Sequence, residues 1–343
     1  MAKSILIVGN FSTGALEHQY VKNLISFGWT VYTFDIQAPV QKLKNQNLIS
    51  KIKFKITPRD FYSNVNSALL SFSKKLQPLV TLVFKGMEIF PETLKEIKTC
   101  SKLLCNYNPD HPFKFYSSGS GNRNVKDSIK IYDMYGSYSE KIALELKSIY
   151  QINAFTLPFG YDADIAISRN LKPIDKFGFI GAFDKERQTI LKQLSSFPIE
   201  VYGEQKWVQK LKPDTVSQIN IIGKPLFDNE YANYCSASFG VFNFLRPHNI
   251  LENSHNMRTF EVPGYGGLLI ANRTAEQSVF FEEDKEAIYF DDIIELKERL
   301  TYFSHHPLEI NRLKQNALKR AQSSNYSYNK RVKTFSNLLN EYL

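Results

Sequence analysis

The residues that could do chemistry stand closest together in residues 256–272, which read NMRTFEVPGYGGLLIAN. Arg258 and Glu261 are three residues apart, and residues at that spacing lie side by side on a helix. The glycines at 264–267 predict a turn, and the apolar run after them predicts a buried strand. A cation and a carboxylate at a helix start beside a sheet edge suit a ligand that carries phosphates and a sugar diol.

The start of this helix is itself a candidate anion site. A helix that opens at Asn256, capped by Ser254 or Asn253, would present free N–H groups and the positive end of its dipole. Arg258 would add charge-assisted hydrogen bonds to a diphosphate; the alternative is that it only pairs with a nearby carboxylate. Pro263 predicts a short helix, because proline removes a helical hydrogen bond.

This segment resembles the C-terminal half of GT-B glycosyltransferases, in particular the CgeB-like group, whose pattern is roughly Met-Arg-x-Phe-Glu, four residues, Gly-Gly and an apolar strand. The resemblance covers about half of the chain in the right order. Its other matching segments are residues 177–181, 186–187, 201–203, 229–231, 239–244, 281–286, 290–292 and 306–307. The resemblance implies a GT-B fold, glycosyl transfer and a nucleotide-diphosphate sugar as donor.

The resemblance also implies roles for single residues. The predicted donor-binding residues are Gly181, Arg187, Asn256, Met257, Arg258 and Glu261. In the related families the glutamate at the place of Glu261 holds the ribose hydroxyls; the alternative is a salt bridge to Arg258. Arg187 would neutralise the leaving diphosphate, unless it is an ordinary exposed helix arginine. The predicted catalytic residues are Arg187, Arg258, His18 and Asp110.

The predicted acceptor side lies in the first half of the chain. Gly14 belongs to a glycine loop after the first strand, and Glu17 and His18 follow that loop. His18 could equally be a surface or helix-packing residue. Asp110 and His111 follow a later strand and could contact the acceptor or the transferred sugar, although turn formation alone would explain that segment.

Strand-like and helix-like segments alternate throughout the chain, which predicts an α/β protein with parallel sheets. We expect the GT-B fold, with two doubly wound Rossmann-like domains facing a central cleft. The predicted acceptor-side domain is 1–165, the nucleotide-sugar-binding domain is 172–324, and the helix 325–343 packs back on the first domain. The predicted strands are 5–8, 30–34, 79–84, 102–107, 154–157, 177–180, 199–202, 219–222, 239–244, 268–271 and 287–290.

Composition and short motifs exclude several classes. The chain has 343 residues, 43% of them hydrophobic, and a net charge of +9. The lysines look scattered, with no basic-aromatic motif, so nucleic acid is not an expected partner. The charge could belong to an ordinary solvated, lysine-rich surface. If it has a function, we expect attraction to an anionic inner membrane, with the protein cytoplasmic and in peripheral contact with that membrane. No Lys-Ser/Thr completes the glycine spacing of residues 9–14, and no metal-ligand spacing or cofactor motif occurs.

The sequence therefore predicts an enzyme, a metal-independent glycosyltransferase that uses a nucleotide-sugar donor without a cofactor. The expected acceptor is a hydroxyl of a glycan, lipid-linked or protein substrate in bacterial surface-glycan synthesis. The resemblance favours retention of configuration; inversion would need a base such as Glu17, His18 or Asp110. Many retaining relatives carry a glutamate at the place of Asn253, so a non-catalytic nucleotide-sugar-binding protein stays an alternative, as does a GT-B-fold epimerase.

Overall fold

Two compact units make up the chain. The computed structural model describes residues 3–116, 119–211 and 217–343. The first unit comprises Met1–Pro158 and Asn329–Leu343, and the second comprises Phe159–Tyr328. None of the described helices is both long and apolar enough to cross a bilayer.

A parallel sheet forms the centre of the first unit. Its strands within the described residues are β1 Ser4–Gly9, β2 Thr30–Asp35, β3 Val80–Phe84, β4 Leu103–Asn108, β5 Met134–Ser137 and β6 Ala154–Thr156. Their order across the sheet is β2-β1-β3-β4-β5-β6. Because the order reverses between β1 and β3, the carboxyl ends of these two strands form a switch point, where such sheets bind ligands.

Helices cover this sheet. Those before the second unit are α1 Glu17–Ser26, α2 Gln37–Lys44, α3 Leu48–Ile56, α4 Pro58–Leu76, α5 Pro91–Lys98, α6 Arg123–Ser128 and α7 Glu140–Glu145. The aliphatic run of β1 is fully buried, as a strand between two helical layers requires. Gly28, at φ 82°, ends α1 as predicted, because glycine adopts this left-handed conformation without strain.

A second parallel sheet forms the centre of the second unit. Its strands within the described residues are β7 Ile174–Ile180, β8 Ile199–Tyr202, β9 Ile219–Ile221, β10 Ser238–Asn243, β11 Leu269–Asn272 and β12 Ala287–Phe290. Their order is β12-β11-β10-β7-β8-β9. The switch point therefore lies at the carboxyl ends of β7 and β10, and aromatic side chains fill the core beside these strands, with Phe179 stacked on Phe244.

The helices of the second unit follow the predicted alternation. They are α8 Lys185–Gln193, α9 Lys206–Lys210, α10 Asp228–Ala237, α11 Pro247–Leu251, α12 Arg258–Gly264, α13 Ala275–Phe280, α14 Ile293–Ser304 and α15 Pro307–Ser323. The last helix, α16 Tyr328–Tyr342, contributes to the core of the first unit. The predicted break near residue 324 is confirmed, because α15 ends at Ser323.

Helix α16 is held to the first unit by aromatic packing and one buried hydrogen bond. Phe335 is buried, and its ring lies 5.9 Å from that of Tyr20 and 5.8 Å from that of Phe155. The indole N–H of Trp29 donates to Ser336 Oγ at 2.8 Å. These contacts join residues at least 180 positions apart in the chain, so α16 completes the core of the unit in which the chain begins.

We expect Phe335→Ala to lower the free energy of unfolding by about 3–5 kcal/mol, because it leaves a cavity where an aromatic ring was packed. Urea denaturation measures this change. Lys333→Ala, at an exposed position of the same helix, is the control and should shift stability by less than about 0.5 kcal/mol. Equal effects of the two substitutions would contradict the packing of α16.

Candidate functional site

The switch point of the second sheet places Arg187 over the carboxyl ends of β7 and β10. Asp184 caps α8, its Oδ1 accepting from the N–H groups of Glu186 at 2.9 Å and Arg187 at 3.4 Å. Arg187 is thereby fixed in the first turn. Its residue surface is 9% exposed, so the alternative of an ordinary exposed helix arginine is wrong.

Backbone carbonyls hold the Arg187 guanidinium. Its Nε and Nη2 donate to the carbonyl oxygen of Phe244 at 3.3 and 3.1 Å. Its guanidinium carbon lies 5.7 Å from the centre of the Phe179 ring, within range of a cation–π contact. These contacts orient the side chain without neutralising it, so its charge stays available to a ligand.

Two further arginines lie beside Arg187. Burial, together with the neighbouring cations of Arg258 and Arg246, lowers the pKa of Arg187 to about 10. No carboxylate among the described residues forms an ion pair with any of these three arginines. Gly181 leaves room for Arg258, because a Cβ built there would lie 3.1 Å from Arg258 Nη2. We call Arg187, Arg246 and Arg258 the arginine cluster.

The start of α12 differs from the prediction. The helix begins at Arg258, with Met257 as an N-cap that makes no side-chain hydrogen bond. The Asn256 side chain is instead paired with Asn243, their amides exchanging hydrogen bonds at 2.8 and 3.1 Å. The predicted opening at Asn256 with a Ser254 or Asn253 cap is therefore wrong, since this amide pair ties the segment to β10.

Neither Ser254 nor Asn253 caps α12. Ser254 Oγ donates to the Asn249 carbonyl at 3.3 Å, and Asn253 has a φ of 54° in a left-handed turn. The helix is short, as Pro263 predicted, with seven residues. The helix end consequently offers less to an anion than the arginine side chains around it do.

Glu261 lies half-buried on the same helix as Arg258. Its Oε2 accepts from the Tyr231 hydroxyl at 3.4 Å, and burial raises the pKa of Glu261 to about 7, although Arg258 and Tyr231 each lower it. Glu261 and Arg258 form no ion pair, so the alternative of a salt bridge within the helix is wrong for both residues. A carboxyl group that titrates near neutrality can accept hydroxyl hydrogen bonds as its charged form.

Close packing explains why a glycine stands at position 264. A Cβ built on Gly264 would clash with the ring of Tyr161, so only glycine fits beneath that ring. Gly266, at φ 72°, then turns the chain, and the Gly267 N–H donates to the Val262 carbonyl at 2.8 Å. The turn and strand predicted after the helix are confirmed, with β11 beginning at Leu269.

In the first unit, the predicted acceptor residues lie at the end of β1. Glu17 is buried, its Oε1 accepts from the Asn10 N–H at 2.8 Å, and burial raises the pKa of Glu17. His18 is exposed, with Nε2 at 3.2 Å from the Phe11 carbonyl oxygen, and Gly14 is exposed at φ 78°. Their contact with an acceptor stays a prediction.

The residues predicted after β4 belong to an ordered turn. The Asp110 N–H donates to Asn108 Oδ1 at 2.9 Å, and the Asp110 carboxylate pairs with Lys85 Nζ at 2.5 Å. His111 Nδ1 accepts from the N–H groups of Phe113 and Lys114, and burial lowers the pKa of His111. His111 therefore stabilises the turn, and its contact with an acceptor also stays a prediction.

Glu88 is a candidate that the sequence analysis missed. It follows β3 at the switch point of the first sheet and is 8% exposed. Burial raises its pKa, and the carboxylates of Asp35 and Glu17 raise it further, whereas Lys85 lowers it. Its position after a predicted strand could have indicated it, because the loops that follow strands bear the ligand sites of such sheets. Arg246, which follows β10, was missed despite the same signal.

Glu261 should make stability depend on pH. Its folded-state pKa of about 7 exceeds the ordinary value of 4.5, so the stability it contributes is full below 4.5 and is lost as the pH rises through 7. We expect Glu261→Gln to raise the melting temperature at a pH of about 8.5 and to change it little at about 5. Differential scanning calorimetry tests this; a lower melting temperature of the variant at the higher pH would contradict the burial of the charge.

Part of the chain matches a known protein family, and solved structures share its fold. Residues 186–337 match the model of the glycosyl transferase-like family. No curated protein matches the sequence. Among solved structures, a sucrose-phosphate synthase from Thermosynechococcus elongatus is similar over 99% of this chain and 98% of its own, with 11% identity and a TM-score of 0.70.

Two further structures give the same fold. HepE of Anabaena, crystallised with UDP and glucose, is similar over 99% of this chain and all of its own (100%), with 11% identity and a TM-score of 0.66. A Listeria monocytogenes protein proposed to be a UDP-N-acetylglucosamine 2-epimerase is similar over 97% and 94%, with 11% identity and a TM-score of 0.62. The predicted GT-B fold is confirmed, and the match of residues 186–337 to the glycosyl transferase-like family agrees with the predicted enzyme class.

Proposed function

We propose that the protein transfers a sugar from a nucleotide-diphosphate donor to an acceptor hydroxyl. The observation that carries this proposal is the arginine cluster, which lies without a carboxylate partner among the described residues at the switch point and next to Glu261. Diphosphates suit such a site, because guanidinium groups bind phosphate oxygens through paired charge-assisted hydrogen bonds.

The arginine cluster would act most strongly on the leaving group. As the bond between the anomeric carbon and the phosphate oxygen breaks, the electron pair stays on the nucleoside diphosphate. Arg187 is buried and held by the Phe244 carbonyl, so its charge is oriented before the reaction begins. Preorganised cations at a site of developing charge are worth several kcal/mol in the transition state.

Glu261 would bind the ribose of the donor. Its carboxylate can accept hydrogen bonds from two neighbouring hydroxyls, and Tyr231, at 3.4 Å, steadies its second oxygen. Because burial raises the pKa of Glu261 to about 7, the free site is partly protonated at neutral pH. Binding a diol to the charged form therefore favours loss of that proton, so donor affinity should rise with pH up to this value.

The first unit offers carboxylates for the acceptor proton. Glu17 and Glu88 are buried at the switch point of its sheet, and Asp110 pairs with Lys85 beside them. An inverting reaction would use one carboxylate as the base that takes the hydroxyl proton. A retaining reaction would pass that proton to the leaving diphosphate. The resemblance to the CgeB-like group favours retention and an acceptor in a bacterial surface glycan.

An epimerase is the second candidate. A similar structure is that of the Listeria protein proposed to be a UDP-N-acetylglucosamine 2-epimerase. The carboxylates at the first switch point would also suit the proton transfers of such a reaction. An epimerase would alter the sugar of the donor with no acceptor present, whereas a transferase would release nucleotide only as the acceptor is glycosylated.

The nucleotide can be identified by stabilisation of the native state. We expect UDP to raise the melting temperature more than GDP, dTDP, ADP or CMP do, because a similar structure holds UDP and any ligand of the native state stabilises it. A thermal-shift panel measures this. If none of the diphosphates stabilises the protein, the proposed donor site is wrong; if only CMP does, the donor carries one phosphate.

Arg258→Ala should lower affinity for that diphosphate by about tenfold or more, equal to about 1.4 kcal/mol, and lower turnover at saturating donor. Isothermal titration calorimetry and a nucleotide-release assay measure the two effects. Arg312→Ala is the matched control, since Arg312 is exposed and pairs with Glu309 at 3.6 Å on α15. Unchanged affinity and turnover in Arg258→Ala would remove the cluster from the mechanism.

A non-catalytic binding protein would give a different pattern. It would bind the diphosphate through the same arginines but release no nucleotide with any acceptor of a broad panel. Tight binding that Arg258→Ala weakens, without turnover in the unaltered chain, would favour that alternative over glycosyl transfer.

A further inference from the structure

Basic residues are concentrated on one part of the first unit. Residues 37–60, which span α2, α3 and the start of α4, contain six lysines and arginines and a single acidic residue, Asp60. In the sequence, the lysines look scattered. The fold instead brings those of α2 and α3 together around one cavity, which Lys44, Lys51 and Lys55 line.

Helix α3 is unusual for a helix of a globular protein, because none of its residues is buried. Its large aliphatic side chains Leu48, Ile49, Ile52 and Ile56 are 73%, 76%, 52% and 75% exposed. Their spacing puts them on one face of the helix, about 100° wide. An apolar face that is exposed to water in this way indicates an interaction site.

Lysines border this apolar face on both sides. At 100° per residue, Lys51 and Lys55 fall on one side of the aliphatic face and Lys53 on the other. Phe54 faces the protein, with its ring 5.3 Å from that of Phe61 and 4.7 Å from the ammonium group of Lys44. Phe54 thus anchors the helix while the aliphatic face is directed outwards.

A cavity of about 600 Å³ lies beside the helix. Its walls include Lys44, Lys51 and Lys55 together with Ile52 and Tyr62. An anionic group entering it would meet ammonium groups, and an attached apolar chain would meet aliphatic and aromatic walls. This combination matches a phospholipid, which carries phosphate next to hydrocarbon.

We propose that α3 docks the protein on an anionic lipid bilayer. The four aliphatic side chains enter the boundary between headgroups and acyl chains, and the flanking lysines lie against lipid phosphates. A second copy of the chain is disfavoured as the occupant, because the same lysines would face one another. The proposal does not depend on the donor site, which lies in the other unit.

Vesicle flotation with the full chain tests the proposal. We expect binding to phosphatidylcholine vesicles that contain phosphatidylglycerol, little binding to pure phosphatidylcholine, and release at high salt. Ile49→Ser combined with Ile56→Ser should weaken binding about tenfold or more. Lys51→Gln combined with Lys55→Gln should also weaken binding about tenfold or more, since lysines near an anionic surface are attracted to its lipid phosphates.

Two matched pairs serve as controls. Ile294→Ser with Leu308→Ser removes equally exposed aliphatic side chains, and Lys130→Gln with Lys147→Gln removes exposed lysines of the first unit. Both controls should bind within about twofold of the unaltered chain. Because every altered side chain is exposed, melting temperature and response to nucleotide should stay unchanged in all variants.

Three results would overturn the proposal. The first is no binding of the unaltered chain to anionic vesicles. The second is an equal loss in the lysine control, which would assign binding to net charge alone. The third is a concentration-dependent dimer that the α3 variants dissolve, which would make a second copy the occupant.

Discussion

Unbalanced positive charge at the switch point of the second sheet is the constraint on which the site depends. Arg187 is withdrawn from water and lies near two other cations, and both conditions lower its pKa. Among the described residues it has no carboxylate partner, and its guanidinium contacts the carbonyl oxygens of Phe244 and Ala182 and the Phe179 ring. Burying an unpaired cation costs free energy, which the packing of the core around α8 and β10 offsets. A bound anion would reduce that cost.

Other arginines of the same unit form ion pairs that stabilise the fold. Arg273 pairs with Glu283 at 2.8 Å and with Glu295 at 2.7 Å, and these carboxylates hold the pKa of Arg273 above its usual range. Arg299 joins the same network through Glu283 at 3.0 Å. Charges that stabilise the fold are therefore matched, whereas those of the arginine cluster are not. The presence or absence of a carboxylate partner therefore distinguishes the two sets of arginines.

The first unit buries acidic rather than basic side chains at its switch point. Its switch point holds buried carboxylates, Glu17 and Glu88, whose pKa values are raised by burial and which lie near the cation of Lys85. Carboxylates with a raised pKa are stronger bases than exposed ones, which suits them to take a proton from a hydroxyl group. The exposed basic and aliphatic face of α3 belongs to this unit too. The proposed membrane-docking face and the buried carboxylates therefore belong to the same unit.

The sequence by itself determined the α/β alternation, most strands and the turn after α12, because these follow from local periodicity and from glycine and proline. It missed β5, whose four residues include Gly136 and give little periodic signal. Only the tertiary structure decided that α12 begins at Arg258, that Arg246 joins the cluster and that Glu88 lies near Glu17. Each of these depends on contacts between segments distant in the chain, such as the Asn243–Asn256 pair, and no local pattern records them.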